Sequence, residues 1–136
     1  MQDYRKLRVW HRAHALVIST YALCKLLPDY EKYGLASQLR RAVVSIGANI
    51  VEGAKRRNRR DYARFLNVAL GSASEVECLL HVGRDLQFFP AEEIARLFEE
   101  TSAVTAMLLR LEEEVSLASK RRRAIGERVP INALDV

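Results

Sequence analysis

Apolar residues recur at steps of three and four through four long stretches of the chain, and no stretch sustains the period-two alternation of a half-buried strand. The pattern predicts an all-α protein. From about Leu7 to Leu27 the stripe is Val9, Ala13, Leu16, Val17, Thr20, Leu23, Cys24 and Leu27; Pro28 ends it, because proline disfavours helical geometry in the residue before it. A second helix is expected from near Lys32, with Leu35, Leu39, Ala42, Val43, Ile46, Ile50 and Gly53 on its main face. A third starts after Asn58, whose side-chain oxygen can accept from an orphan amide, with Asp61 completing a cap-box-like pattern, and ends near Phe88. The fourth runs from about Ala91 to Leu117, its stripe formed by Ile94, Leu97, Phe98, Thr101, Val104, Met107, Leu108, Leu111 and Val115. Short connections make sequential neighbours antiparallel, so the simplest architecture is an up-down-up-down four-helix bundle.

Two runs depart from ordinary amphipathic patterning. Residues 42–51 and 65–74 carry no charge at all, whereas a surface helix keeps one face polar; both are expected to be buried on more than one flank. They are also rich in small residues: Ser45, Gly47, Ala48, Asn49 and Gly53, then Gly71, Ser72, Ala73 and Ser74. Each mid-helix glycine costs about 1 kcal/mol against alanine, so close packing must offset it, either inside the bundle or against a second subunit. The sequence favours the second subunit, since a monomer exposing that much apolar surface tends to associate. Arg41, Ser45, Ala48 and Glu52 share one line of the second helix. Glu52 or Glu75 is then placed to pair with Arg40 or Arg41 and fix the register of helices or subunits, the plain alternative being ordinary exposed glutamates.

Charge adds a polarity. Lys55, Arg56, Arg57, Arg59, Arg60 and Arg64 put six bases against one acid, and the tail from Lys120, with Arg121, Arg122 and Arg123, carries a net charge of plus three. The fourth helix is acidic, with two bases against seven acids between Ala91 and Ala118. In the bundle just described, the N-terminal segment with Arg5, Lys6 and Arg8, the hinge between the second and third helices, and the C-terminal tail all emerge at one end. A single charge run is usually a solvated face, but three converging runs make a cationic pole suited to a polyanion, RNA or DNA above all, through counterion release. Arginine dominates the hinge, and its planar fork holds phosphate bidentately. No zinc-finger spacing, aromatic sheet signature or basic zipper is present, so recognition would be of backbone or shape.

With 136 residues and a net charge of plus five, the chain fits one domain, read as a bundle over 1–118 followed by a basic, flexible tail over 119–136. The N-terminus lacks an apolar core of signal-peptide type, and the longest uncharged runs fall short of the ~18 residues of a membrane span; a cytoplasmic protein without membrane association is expected. Cys24 and Cys78 lie in apolar helical patterns and are expected to be inert buried thiols. Carboxylate metal sites in bundles use a Glu-x-x-His motif, which the chain lacks, and His11 with His14, or Glu77, Cys78 and His81, make poor substitutes. There is no phosphate-binding glycine loop, recognisable nucleophile–base pair or dinucleotide fingerprint. No catalytic residue, metal or cofactor is assigned.

The segments Arg40-Arg41-Ala42-Val43-Val44-Ser45-Ile46-Gly47-Ala48-Asn49-Ile50-Val51-Glu52-Gly53, Tyr62-Ala63-Arg64-Phe65-Leu66 and Ala69-Leu70-Gly71-Ser72-Ala73-Ser74-Glu75, with Leu7-Arg8-Val9-Trp10 and Tyr33-Gly34-Leu35, resemble the four-helix bundle proteins encoded in intervening sequences of bacterial 23S ribosomal RNA genes. The resemblance covers about residues 4–116 and extends to the accessory variability determinant of diversity-generating retroelements. It implies a cyclic homo-oligomer, a homopentameric barrel-like ring, with nucleic-acid binding and, in the retroelement members, binding to reverse transcriptase; it implies no enzymatic activity. Asn58-Arg59-Arg60 stands where family members often have a serine, and the hinge and tail are unusually basic. The sequence therefore points to a non-enzymatic, rRNA-associated binding protein, the alternative being a scaffold that docks an acidic or reverse-transcriptase-type protein.

Overall fold

The computed structural model describes residues 1–126, and among them are four α-helices and no strand: α1 Arg8–Cys24, α2 Leu35–Ala54, α3 Arg59–Asp85 and α4 Ala91–Ile125. Short 3-10 turns over Tyr4–Lys6 and Asp29–Glu31 precede α1 and α2. α1 closes earlier than the apolar stripe predicts, because Leu26 and Leu27 donate to the carbonyls of Leu23 and Cys24 in tightened turns. α2 starts at Leu35 rather than Lys32: the Glu31 carboxylate accepts from the Leu35 amide at 2.9 Å and supplies the cap from within the preceding turn.

Asn58 opens α3 as the sequence predicts, its side-chain oxygen accepting from Arg60 N at 2.8 Å. α3 stops at Asp85, before the expected Phe88, in a Schellman-type closure: Phe88 N donates to Gly83 O at 2.9 Å while Gln87 takes the left-handed φ of 61° usually given to glycine. α4 continues beyond the expected end near Leu117 to Ile125, closed by Gly126 at φ 70°, so Lys120–Arg123 are helical. The rest of the expected tail, residues 127–136, lies outside the described residues.

Each helix packs against its sequence neighbours, and α1 also packs against α4, so the four surround one core. Its fully buried members include Leu16, Leu39, Ile46, Ile50, Leu66, Leu80, Leu108 and Leu111, together with Tyr62. Two glycines have their reason here. A Cβ on Gly53 would stand 2.8 Å from Tyr62 Cδ2, and one on Gly83 would run into the Phe89 ring; in both places the aromatic ring occupies the space a side chain would need. Gly71, by contrast, meets nothing within 4 Å.

Two expectations are overturned within the protomer. The uncharged runs are not buried on more than one flank: Val44 is 44% and Val68 45% exposed, and Ala48, Gly71 and Ser74 are exposed beside them, because α2 and α3 each turn a single stripe to the core. Cys24 is buried, its thiol pushed up in pKa by that burial, whereas Cys78 is exposed on α3, lying off the core-facing stripe of Val76, Leu79 and Leu80. No helix of the described residues is long and apolar enough to cross a membrane.

Candidate nucleic-acid interface

The hinge between α2 and α3 is short because Gly53 lets the start of α3 close onto the end of α2, and this sets its bases side by side. Lys55, Arg56, Arg57, Arg60 and Arg64 are exposed. Arg56 is held twice: Nη2 lies 2.9 Å from Glu52 Oε2, and its guanidinium sits 4.8 Å from the centroid of the Phe65 ring. Arg64 approaches the same ring at 4.6 Å. Phe65 is thus contacted by two cations, one from the hinge and one from α3, which limits the rotamer freedom of both arginines before any ligand arrives.

Arg59 departs from its expected place among the solvent-facing bases. It is only 4% exposed, turned inward at the first helical position, and burial followed by the charge of Arg122 pushes its guanidinium below the ordinary arginine range. The influence of Arg122 on Arg59 marks the end of α4 as lying near the hinge. The N-terminal segment arrives there as well: Gln2 N donates to Ala54 O at 2.8 Å, and the Tyr62 hydroxyl donates to Gln2 Oε1 at 2.8 Å. Lys120, Arg121 and Arg123 are exposed and Arg122 is half-buried. In the N-terminal turn Arg5 is engaged by Asp3 at 3.0 Å, a contact that holds the Asp3 carboxyl below its usual range, while Lys6 and Arg8 are exposed.

Sequence reasoning missed an adjoining feature. A groove of about 460 Å³ runs between α1 and α4, lined by Arg8, Arg12 and Arg110 with Leu7, Met107, Leu111 and Glu114. Arg8 and Arg12 are one helical turn apart, a signal present in the sequence, but Arg110 belongs to an acidic helix and comes to them only through the fold. None of the three forms an ion pair among the described residues.

The residues expected at helix or subunit contacts divide. Ser45 and Ser72 meet across the α2–α3 seam, with Asn49 donating to Ser45, and Gly53 packs against Tyr62; these serve the protomer itself. Gly47 lies beside Trp10. Among the described residues the expected register pairing does not form: Glu52 pairs with Arg56 and Arg40 donates to the carbonyl of Lys32, each acceptor lying nearer along its own segment than across the bundle. Arg41, Gly71 and Glu75 remain exposed on the outer surface. His81 lies 3.9 Å from Glu77 and packs on Phe98, and His11 and His14 pack on Trp10.

A family model described as 23S rRNA-intervening sequence protein matches residues 5–110. Among solved structures, the chain is similar to a crystal structure of a protein with unknown function from the S23 ribosomal protein family of Bacteroides thetaiotaomicron, with 25% identity and a TM-score of 0.72 over 76% of this chain and 97% of that one. No curated protein matches the chain.

Proposed function

The chain belongs to the 23S rRNA-intervening sequence protein family, and on that premise we propose that it is a non-enzymatic nucleic-acid-binding protein of the cytoplasm, acting on ribosomal RNA or another structured nucleic acid. The observation that carries this reading is the meeting of three basic segments at the hinge, where Arg56 and Arg64 are held over Phe65 and Lys55, Arg57 and Arg60 face solvent. Phosphate is the matching ligand: arginine forks fixed in advance lose little entropy on binding it. Lys120, Arg121 and Arg123 form a supporting arm along the last turns of α4, and Arg59 acts from within by fixing the start of α3.

The four helices follow one another up, down, up and down, as their short connections support, and protomers assemble into a cyclic homo-oligomer, a pentamer on the resemblance given above. The exposed Val44 and Ala48 on α2, with Val68 and Gly71 on α3, supply the uncharged faces for that assembly, with Arg41 and Glu75 at their edges. Cyclic assembly gathers the basic ends into one cationic surface.

The test is affinity for ribosomal RNA fragments across a salt series. A steep fall with salt that is flattened by R57E/R60E supports the reading; a flat response in the unmodified protein refutes it. The exposed Lys55, Arg57 and Arg60 equally support a second reading in which the same surface docks an acidic or reverse-transcriptase-type protein. Complex formation that survives nuclease treatment would select it.

A further inference from the structure

Beside the hinge stands a cluster of rings that the phosphate contacts leave unused. Trp10, the only tryptophan in the chain, is met edgewise by Tyr4 at 5.1 Å and His11 at 5.0 Å, while His14 stacks on it at 5.2 Å with an interplanar angle of 14°. His11 is fixed by a 2.6 Å hydrogen bond with the carbonyl of Arg5. Trp10 is half-buried, with its indole nitrogen beside Gly47, whereas both histidines are exposed. A tryptophan closing the α1–α2 seam needs no imidazole laid flat upon it, and the histidine edges suit a polar flat ligand better than an apolar helix. Tyr4 lies two residues from Gln2, which bonds to both Ala54 and Tyr62, so the ring cluster belongs to the same end of the molecule as the hinge bases.

We infer that the Trp10–His14 stack is a platform for an unpaired nucleobase, so that the nucleic acid this protein binds carries a single-stranded loop or end. The inference rests on the nucleic-acid reading above and narrows it. A planar, already stacked pair offers a base a π-face without further ordering, and such stacking tolerates any base identity. Bases inside a duplex are stacked on one another and cannot use it; unpaired RNA bases can. The exposed bases Lys6 and Arg8, near Trp10 in sequence, are available for the phosphates on either side.

Because Trp10 is the sole tryptophan, its emission reports the platform directly. The test titrates the full-length protein with a short single-stranded RNA and with a duplex of the same sequence, reading Trp10 emission and, in parallel, the anisotropy of a label on the RNA. The expected result is quenching by the single strand and little by the duplex, with His14→Ala weakening single-strand affinity by roughly fivefold or more, the lower edge of what one base–aromatic stack contributes, and leaving duplex affinity unchanged. Binding of both RNAs with unquenched emission, or with His14→Ala as tight as the unmodified protein, overturns the platform while leaving the proposed function standing. Absence of binding by anisotropy to either RNA overturns both.

Discussion

The hydroxyls of Ser45 and Ser72 lie 2.8 Å apart across the α2–α3 seam, and Asn49 Nδ2 donates to Ser45 Oγ at 3.0 Å and to the Ser45 carbonyl at 2.8 Å. Three small polar groups therefore satisfy one another between two helices whose flanks are otherwise uncharged. Removing Ser72 leaves Ser45 Oγ with its bond from Asn49 alone, and removing Ser45 leaves Ser72 Oγ without this partner, whereas removing both strands neither hydroxyl and leaves Asn49 its bond to the carbonyl of residue 45. Ser72→Ala is expected to lower unfolding free energy by about 1–2 kcal/mol. The S45A/S72A double variant should lose less than the sum of the single losses, a coupling that chemical denaturation of all four proteins in a double-mutant cycle measures.

The glycines separate by what stands beside them. Gly83→Ala drives a methyl into the Phe89 ring, and Phe89 is buried, so the gain in helix propensity is overridden by an overpacking cost of about 1–3 kcal/mol. Gly71→Ala meets open space and should raise the stability of the isolated protomer by up to about 1 kcal/mol. Thermal unfolding at low protein concentration compares the two. If Gly71 lies in a contact between protomers, the same Gly71→Ala variant dissociates more readily in sedimentation although its protomer is more stable.

Much of this was legible in the sequence, and the failures share a cause. Periodicity located all four helices because each turns one continuous stripe to the core, and the Asn58 cap followed from local chemistry alone. The end of α4 was missed because its stripe stops at Val115 while the backbone goes on with good helix formers to Gly126. Cys78 and Arg59 were misplaced for a common reason: composition does not fix rotational position on a helix once apolar and basic residues are mixed. The Phe65–Arg56–Arg64 cluster lies within one stretch of sequence but depends on how the hinge folds back on the first turns of α3, and the Arg110 side of the α1–α4 groove joins residues from different helices, information that periodicity does not contain.

Tyr62 makes the core sensitive to alkali. Its ring is fully buried, and desolvation of the charged form raises the phenol well above its ordinary value. The sign follows from linkage: the unfolded chain releases the proton at its lower pKa of about 10, the folded chain holds it, and stability present below that pH falls as pH rises above it. Tyr62→Phe should therefore unfold along a flatter profile above about pH 10. Near neutrality it should cost roughly 1 kcal/mol for the lost bond to Gln2. Denaturant midpoints across an alkaline series for the two proteins check both parts.

The two cysteines should react in two phases. Cys78 is exposed and Cys24 is buried with its thiol pushed up in pKa, and only a thiolate reacts readily. A thiol reagent added to native protein is expected to label one equivalent quickly and the second only as the protein unfolds. Cys78→Ser abolishes the fast phase. Cys78 also shares the outer surface of α3 with Gly71, so a fast phase that slows as protein concentration rises would show that this surface becomes covered on assembly.

Charge and positioning at the hinge can be told apart by the response to salt. Each arginine that neutralises a phosphate contributes a slope of about 0.9 log units of affinity per log unit of salt on duplex and about 0.7 on a single strand, so Arg56→Gln and Arg64→Gln should each flatten the slope by about that amount. Phe65 carries no charge, yet it is the ring both guanidinium groups approach, at 4.8 and 4.6 Å. Phe65→Leu removes that ring while keeping both cations. The expected result is weaker binding at every salt concentration with an unchanged slope, because the arginines still release the same counterions but must be ordered at the moment of binding. A Phe65→Leu variant that binds as tightly as the unmodified protein would show that the ring does not position the two arginines for phosphate.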